Sequence, residues 1–305
     1  MQKPFRIAML LILAITGVWL LADDAVKTAV ISALTLCARS VIPALFPFMV
    51  ISSLLLALGL GELLAPPLGG LMAVYGIGSA GSAALVLGLV GGYPTGAAAA
   101  ARLYRDKLLT REETERLLSF CNNANPAFLI GVLGKGLFGS FRAGLWLWMI
   151  HIAAALISGL LVGRTPTGYR RSPAAPPAAI RAISLPAAFV TAVQTALRNV
   201  LSVCAFVTVF SVLSLPLRSL GSIAAPLFTG ILELFSALPL LPDTAVGFVL
   251  AAGLSGWGGL SVLSQTAALT ADTDLSLRRC AAGKAVQGIL CGLLAFLCQG
   301  FVFVA

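Results

Sequence analysis

The sequence predicts an all-α integral membrane protein with about ten transmembrane or re-entrant helices, built as two structural repeats with broken helices. Three observations carry that reading. The chain is 59% hydrophobic and only 10% charged, whereas soluble domains run about 45–50% apolar and about 25% charged. Its apolar runs are separated by short basic loops. Two glycine-interrupted hydrophobic segments stand at corresponding places in the two halves. Lipid offers no partners to backbone polar groups, so spanning segments are helices by default. The alternation of a membrane β-barrel is absent.

The net charge of +9 does not form a nucleic-acid face. The basic residues sit between apolar runs, as the positive-inside rule distributes them. The six cysteines, at positions 37, 121, 204, 280, 291 and 298, show no CxxC spacing and read as small apolar helix residues. His151 is the sole histidine, which argues against a histidine metal site. No cofactor motif is present.

Lys3 and Arg6 precede an apolar run over 7–22, followed by Asp23 and Asp24. A cleaved leader would need a small residue at Leu20. Residues 1–24 are therefore expected to be a retained first transmembrane helix, N-terminus inside. The first repeat covers 25–163. Within it, 26–40 is amphipathic with Lys27 and Arg39, and 41–60 is apolar with a kink expected at Pro43 and Pro47. Residues 63–75 form a short segment with Pro66 and Pro67, and 80–101 is apolar with a broken centre. Residues 102–119 form a polar helix, with Thr110 and Glu113 as a capping box and Glu112–Arg116 as an i,i+4 pair. It reads as a solvated connector. Membrane segments follow at 120–138 and 144–163, then a basic Pro-rich linker at 164–181 and the second repeat at 182–305. Counting crossings places 102–107 and 164–171 in the cytoplasm. A re-entrant GGYPTG hairpin changes that parity.

The repeat is weak but ordered. At an offset of 159, Arg39, Val41, Ser52, Leu54, Ala65, Pro67 and Leu68 match Arg198, Val200, Ser211, Leu213, Ala224, Pro226 and Leu227. At 165, Leu85, Gly88, Leu89 and Gly91 match Leu250, Gly253, Leu254 and Gly256. The second offset also sets Ser119 against Lys284 and Asn122 against Gln287.

Paired Gly- or Pro-interrupted segments are the best sequence pointer to a transport site. Here they are 88–96 (GLVGGYPTG) and 253–259 (GLSGWGG). The first offers Gly91, Gly92, Tyr93, Pro94, Thr95 and Gly96; the second offers Ser255, Gly256 and Trp257. Freed N–H groups at a half-helix start suit an anion, and Tyr93 and Trp257 suit a flat ring. The rival reading is close helix packing through small residues. Asn122, Asn123 and Asn125 precede Pro126. Such amides are costly in lipid unless paired or facing water. Asn125 also fits an ordinary N-cap. Lys284 and Gln287 extend the set as candidate substrate contacts, with Lys284 the candidate anion contact or a snorkelling residue. Glu233, in ILELF, either carries a coupling proton or pairs structurally, the second being preferred. Lys135 reads as an interface anchor; the GVLGKG around it lacks phosphate-loop spacing. GLSG around Ser255 matches the serine motif of rhomboid-type proteases, but His151 precedes it by about a hundred residues, against that family's order. An enzyme is not expected.

The blocks GLVGGYPTGA, LYRDKLLTREETERLLSFCNNANPAFLIGVLG and WMIH resemble the YlbJ-type sporulation integral membrane proteins. That family falls in the nucleoside-recognition (Gate) superfamily, related to concentrative nucleoside transporters. The resemblance is strong over 41–163 and loose in the second half. It implies an endospore-forming bacterium, and residence in the cell membrane or outer forespore membrane. It also implies a role in cortex or core maturation, and movement of dipicolinate toward the forespore. Other sporulation membrane proteins are then possible partners, beside the lipid bilayer. A flat aromatic dianion suits helix starts, amides, a lysine and an aromatic face. A nucleoside would leave the positive ends without a role. The expected function is passive or ion-coupled transport of a small organic anion. The alternatives are a nucleoside transporter, or a scaffold for cortex or coat assembly using the 110–120 helix and the basic linker.

Overall fold

A computed structural model describes Gly17 and residues 23–163 and 184–303. The expected first transmembrane helix, save Gly17, Asp23 and Asp24, lies outside the described residues, as does the expected linker at 164–181. Every described element is helical.

Helix α1 (Asp24–Leu36) starts at Asp23, whose carboxylate accepts from Ala25 N. A π-helical stretch (Cys37–Val41) carries it directly into α2 (Ile42–Ala57). The two segments expected at 26–40 and 41–60 thus form one helical run. Pro43 has no N–H for the ladder, and the irregular hydrogen bonding falls just before it. Then come α3 (Leu60–Val74), α4 (Gly81–Gly91), α5 (Thr95–Arg105) and α6 (Arg111–Leu118). After an irregular stretch, a π-helix (Ala127–Leu137) leads to α7 (Phe141–Val162). The second half holds α8 (Leu185–Leu213), α9 (Ala224–Leu232), α10 (Leu234–Ala237), α11 (Ala245–Trp257), α12 (Gly259–Thr270) and α13 (Arg278–Phe303). Single 3-10 turns follow α8 (Leu215–Ser219) and α10 (Leu238–Leu240).

Five helical runs are long and apolar enough to cross a membrane: Asp24–Leu55, Phe141–Val162, Leu185–Leu213, Ala245–Thr270 and Arg278–Phe303. Their mean hydropathy runs from 1.6 to 2.1, and about 20 residues suffice to span. Gly81–Gly91 and Ala127–Leu137 are apolar but shorter. Helix α13 shows why lipid is the right solvent. It exposes Ile289, Leu293, Phe296 and Leu297, and buries Lys284, Gln287, Gly288 and Cys291. A water-facing helix has the reverse polarity.

The core is shared by both halves. Val41, Met49 and Phe128 pack with Val200, Phe235 and Phe248, and the rings of Phe128 and Phe235 meet edge-on at 5.0 Å. Helix α13 lies along α11 and α7. A Cβ on Gly256 would sit 2.8 Å from Gln287 O and 2.9 Å from Gly288 Cα. That contact is the small-residue packing weighed as the rival reading.

The connector expected at 102–119 needs correcting. The capping box is present, with Glu113 Oε2 accepting from Thr110 N at 2.9 Å. Arg116 and Glu112 approach to 3.9 Å. Yet Glu113, Thr114, Arg116, Leu117 and Leu118 are buried. Glu113 Oε1 also accepts from Gly78 N at 3.0 Å, pinning α6 to the turn before α4. The helix is a half-buried wedge: its apolar residues and its carboxylate both found tertiary partners.

Candidate functional site

The GGYPTG segment folds as a true helix break. α4 ends at Gly91, Gly92 takes φ +80°, Tyr93–Pro94 is cis, and α5 starts at Thr95. Only glycine adopts that φ freely, and a Cβ on Gly92 would also lie 2.8 Å from Asn125 Cβ. Gly88 and Gly96 flank the Cys121 carbonyl: built Cβ atoms fall 1.5 and 2.0 Å from its oxygen. The motif spacing therefore wedges the chain before Asn122 between two half-helices. Gly91 faces Ser52 Oγ.

The second break lies between α11 and α12. Gly258 and Gly259 take φ +84° and +89°. A Cβ on Gly258 would lie 3.7 Å from Lys284 Cε. One on Gly259 would lie 3.1 Å from Leu232 O and 3.3 Å from Glu233 Cα. Trp257 Nε1 donates to Ile231 O at 2.9 Å.

Between the breaks sits a buried polar cluster. Lys284 Nζ donates to Asn122 O at 3.0 Å and to Gln287 Oε1 at 2.9 Å. Gln287 Nε2 donates to Asn123 Oδ1 at 2.9 Å and lies 3.2 Å from His151 Nε2. Ala124 N also donates to His151 Nε2, at 3.1 Å. Two donors on one ring nitrogen assign the imidazole proton to Nδ1. Asn122 Nδ2 donates to Thr266 Oγ1 at 3.1 Å, joining the first half to α12. Asn123 Nδ2 binds Phe120 O at 2.7 Å. Asn125 Oδ1 accepts from Phe128 N at 2.8 Å, the capping role that its place before Pro126 suggested.

Lys284 is 1% exposed, and among the described residues no carboxylate lies within 4.0 Å of it. Its hydrogen-bond partners are neutral, and its Nζ stands 5.9 Å from the Tyr93 ring centroid, a cation–π arrangement. Several buried polar atoms of the breaks and the cluster have no hydrogen-bond partner among the described residues. They include Tyr93 OH, Thr95 Oγ1, Asn122 Oδ1, Asn125 Nδ2, His151 Nδ1 and Ser255 Oγ.

The structure thus gathers Asn122, Asn123, Lys284 and Gln287 into one network, with Asn125 and the first break packed against it. Gly256 and Trp257 hold the break to α13 and α9 instead. Ser255 Oγ makes no hydrogen bond to His151. Sequence reasoning missed His151 and Thr266 as members. A lone ionisable residue in an apolar helix was signal enough for His151. Thr266 carried none.

At one end of the bundle a second cluster also joins the halves. Arg105 makes a bidentate pair with Asp272, Nε to Oδ2 at 3.0 Å and Nη2 to Oδ1 at 2.6 Å. Tyr104 OH donates to Asp274 Oδ1, Arg111 Nη1 lies 3.3 Å from Asp274 Oδ2, and Ser276 N donates to Glu115 Oε1 at 2.9 Å. The Arg105 guanidinium holds the Asp272 carboxyl below the usual range, and the Tyr104 hydroxyl does the same for Asp274.

The chain is similar to the sporulation integral membrane protein YlbJ of Bacillus subtilis (strain 168), at 26% identity over 84% of this chain and 73% of that protein. That similarity bears out the resemblance read from the GGYPTG and FCNN blocks. No family model and no solved structure matches the chain. The similarity and the apolar helices together make this a multi-pass integral membrane protein.

Proposed function

We propose that this protein carries a small organic anion, dipicolinate-like, across a membrane of the sporulating cell. The substrate would be held between the two Gly-broken helices of two repeats, 25–163 and 182–305. The supporting observation is Lys284: a buried ammonium whose hydrogen-bond partners are all neutral. A buried charge without a counter-charge is costly, and an anionic substrate supplies the missing one. The ring of Tyr93 and the unpartnered hydroxyl and amide donors suit a flat aromatic carboxylate. A nucleoside would leave Lys284 unpaired. The sporulation setting comes from the relative's name, and the cell membrane or outer forespore membrane is the matching residence. The reading needs no cofactor and no covalent step. Other sporulation membrane proteins are the partners such a role would call for.

The test is uptake of labelled dipicolinate into proteoliposomes. Wild type is compared with Lys284→Gln and with the Asn122→Ala/Asn123→Ala pair at matched abundance. Uptake by wild type that is lost in both variants supports the reading. Equal uptake in all three moves the site elsewhere. No uptake above empty vesicles favours a membrane scaffold for cortex or coat assembly.

A further inference from the structure

Lys284 has a counterpart across the second break. Glu233 is 1% exposed and stands where α9 ends and α10 begins. Its carboxylate accepts from Phe235 N at 3.0 Å and from Ser236 N, and among the described residues no cation lies within 4.0 Å. The Gly258–Gly259 pair separates it from Lys284. Gly258 borders the Lys284 side chain, and Gly259 borders Leu232 O and the Glu233 backbone. Trp257 ties the same break to Ile231 O at 2.9 Å. One short glycine pair therefore lies between the Lys284 side chain and the Glu233 backbone.

We infer that Glu233 binds a proton that travels with the anion. This rests on the carrier reading above. A dicarboxylate bound at Lys284 brings more negative charge than the ammonium cancels, which raises the cost of the buried Glu233 carboxylate across the break; a proton taken from water onto one Glu233 oxygen neutralises it. No bond other than this O–H forms or breaks. The protonated carboxyl needs an acceptor for its hydrogen, while its other oxygen keeps a backbone N–H. Thr229 Oγ1, buried four residues before and without a hydrogen-bond partner among the described residues, is the acceptor assigned to it. The other titratable groups in electrostatic reach are Arg218 on the 3-10 turn after α8, Tyr93 at the first break and Cys37 of the π stretch. Helix α8 adds Cys204, its Arg198 being exposed, and α11 and α12 carry no titratable side chain.

The experiment uses the full chain. Dipicolinate is titrated into weakly buffered, detergent-solubilised protein with a pH dye, and proteoliposomes are assayed for gradient-driven accumulation and for anion exchange. Wild type is expected to take up about one proton per bound anion, because linked ligands raise each other's affinity. In Glu233→Gln, binding and exchange should stay within about twofold while proton uptake disappears and accumulation falls about tenfold or more. Glu233→Asp should restore part of the proton uptake. Proton uptake or accumulation unchanged in Glu233→Gln overturns the inference. So does loss of binding and exchange in that variant at an unchanged melting temperature, which would make Glu233 part of the anion site itself. Wild type that exchanges anion without proton uptake sinks this inference alone. Wild type that binds and exchanges no anion sinks the carrier reading and this inference with it.

Discussion

Two polar junctions tie the halves of this protein together, and they are built on opposite principles. At the end of the bundle, Arg105 meets Asp272 and Arg111 meets Asp274, all of them solvent-exposed. In the centre, Lys284 meets a carbonyl and an amide, fully buried. Water would have tolerated an unpaired charge at the first place and lipid would not at the second, yet the pairing is the reverse. A junction serving stability alone would pair its charge where pairing matters most. On the carrier reading proposed above, the buried junction is the one that receives a charge, and the exposed one holds two loops.

The largest effects should come from the glycines that place the buried junction. Gly88→Ala or Gly96→Ala drives a Cβ into the Cys121 carbonyl. Each is expected to cost on the order of 3 kcal/mol and to abolish accumulation of folded protein. Gly131→Ala, with nothing within 4 Å of its built Cβ, should stay within about 0.5 kcal/mol. Fluorescence-detected gel filtration separates these outcomes, and a well-folded Gly96→Ala protein would mean that the wedge at Cys121 is not structural.

Next is Lys284→Gln. Losing a charged hydrogen bond to substrate should weaken dipicolinate binding about 10- to 100-fold. The ligand-free protein should melt at the same temperature or higher, since an unpaired buried cation is costly. A large fall in melting temperature with unchanged binding would turn the comparison over and make the central junction structural.

Asn122→Ala removes the bond to Thr266 and is expected to cost about 1 kcal/mol, read as a fall in melting temperature. Thr266→Ala should cost no more when added to it, because the two share one interaction. Additive losses would show that the bond does not join the halves.

The smallest effects belong to the exposed junction. An Asp272→Asn/Asp274→Asn protein should melt only slightly below wild type, and the gap should close in 1 M salt, where the screening length is about 3 Å. The pH dependence has a definite sign. Both carboxyls are held below the usual aspartate range by Arg105 and Tyr104. Their contribution is therefore full above the unfolded value of about 3.9 and is lost as pH falls through the lower folded values. The gap between wild type and variant should persist at pH 5 and vanish in stronger acid. A gap that closes between pH 6 and 8 would assign it to other groups.

Much of this was legible in the chain itself. GGYPTG announced a break because glycine and proline interrupt a helix locally, and the break is there. Thr110 and Glu113 announced a cap for the same local reason. Asn122, Asn123, Lys284 and Gln287 stood out because polar groups are expensive in lipid, and they do meet. Thr266 did not stand out, since a threonine in an apolar helix satisfies itself on its own backbone, as it does with Val262 O at 3.0 Å. The wedge character of α6 was hidden too, because its composition is that of a solvated helix and only the turn at Gly78 gives Glu113 its second partner.

The sequence by itself determined the solvent, the helical class, the positions of the breaks and most of the polar groups that had to be buried together. These follow from composition and from residue chemistry acting over a few positions. Which polar groups share a network, and that Gly258 and Gly259 stand between Lys284 and Glu233, was decided only by the tertiary structure. Those contacts join residues that lie far apart along the chain, and no local preference encodes where two distant helix breaks will meet.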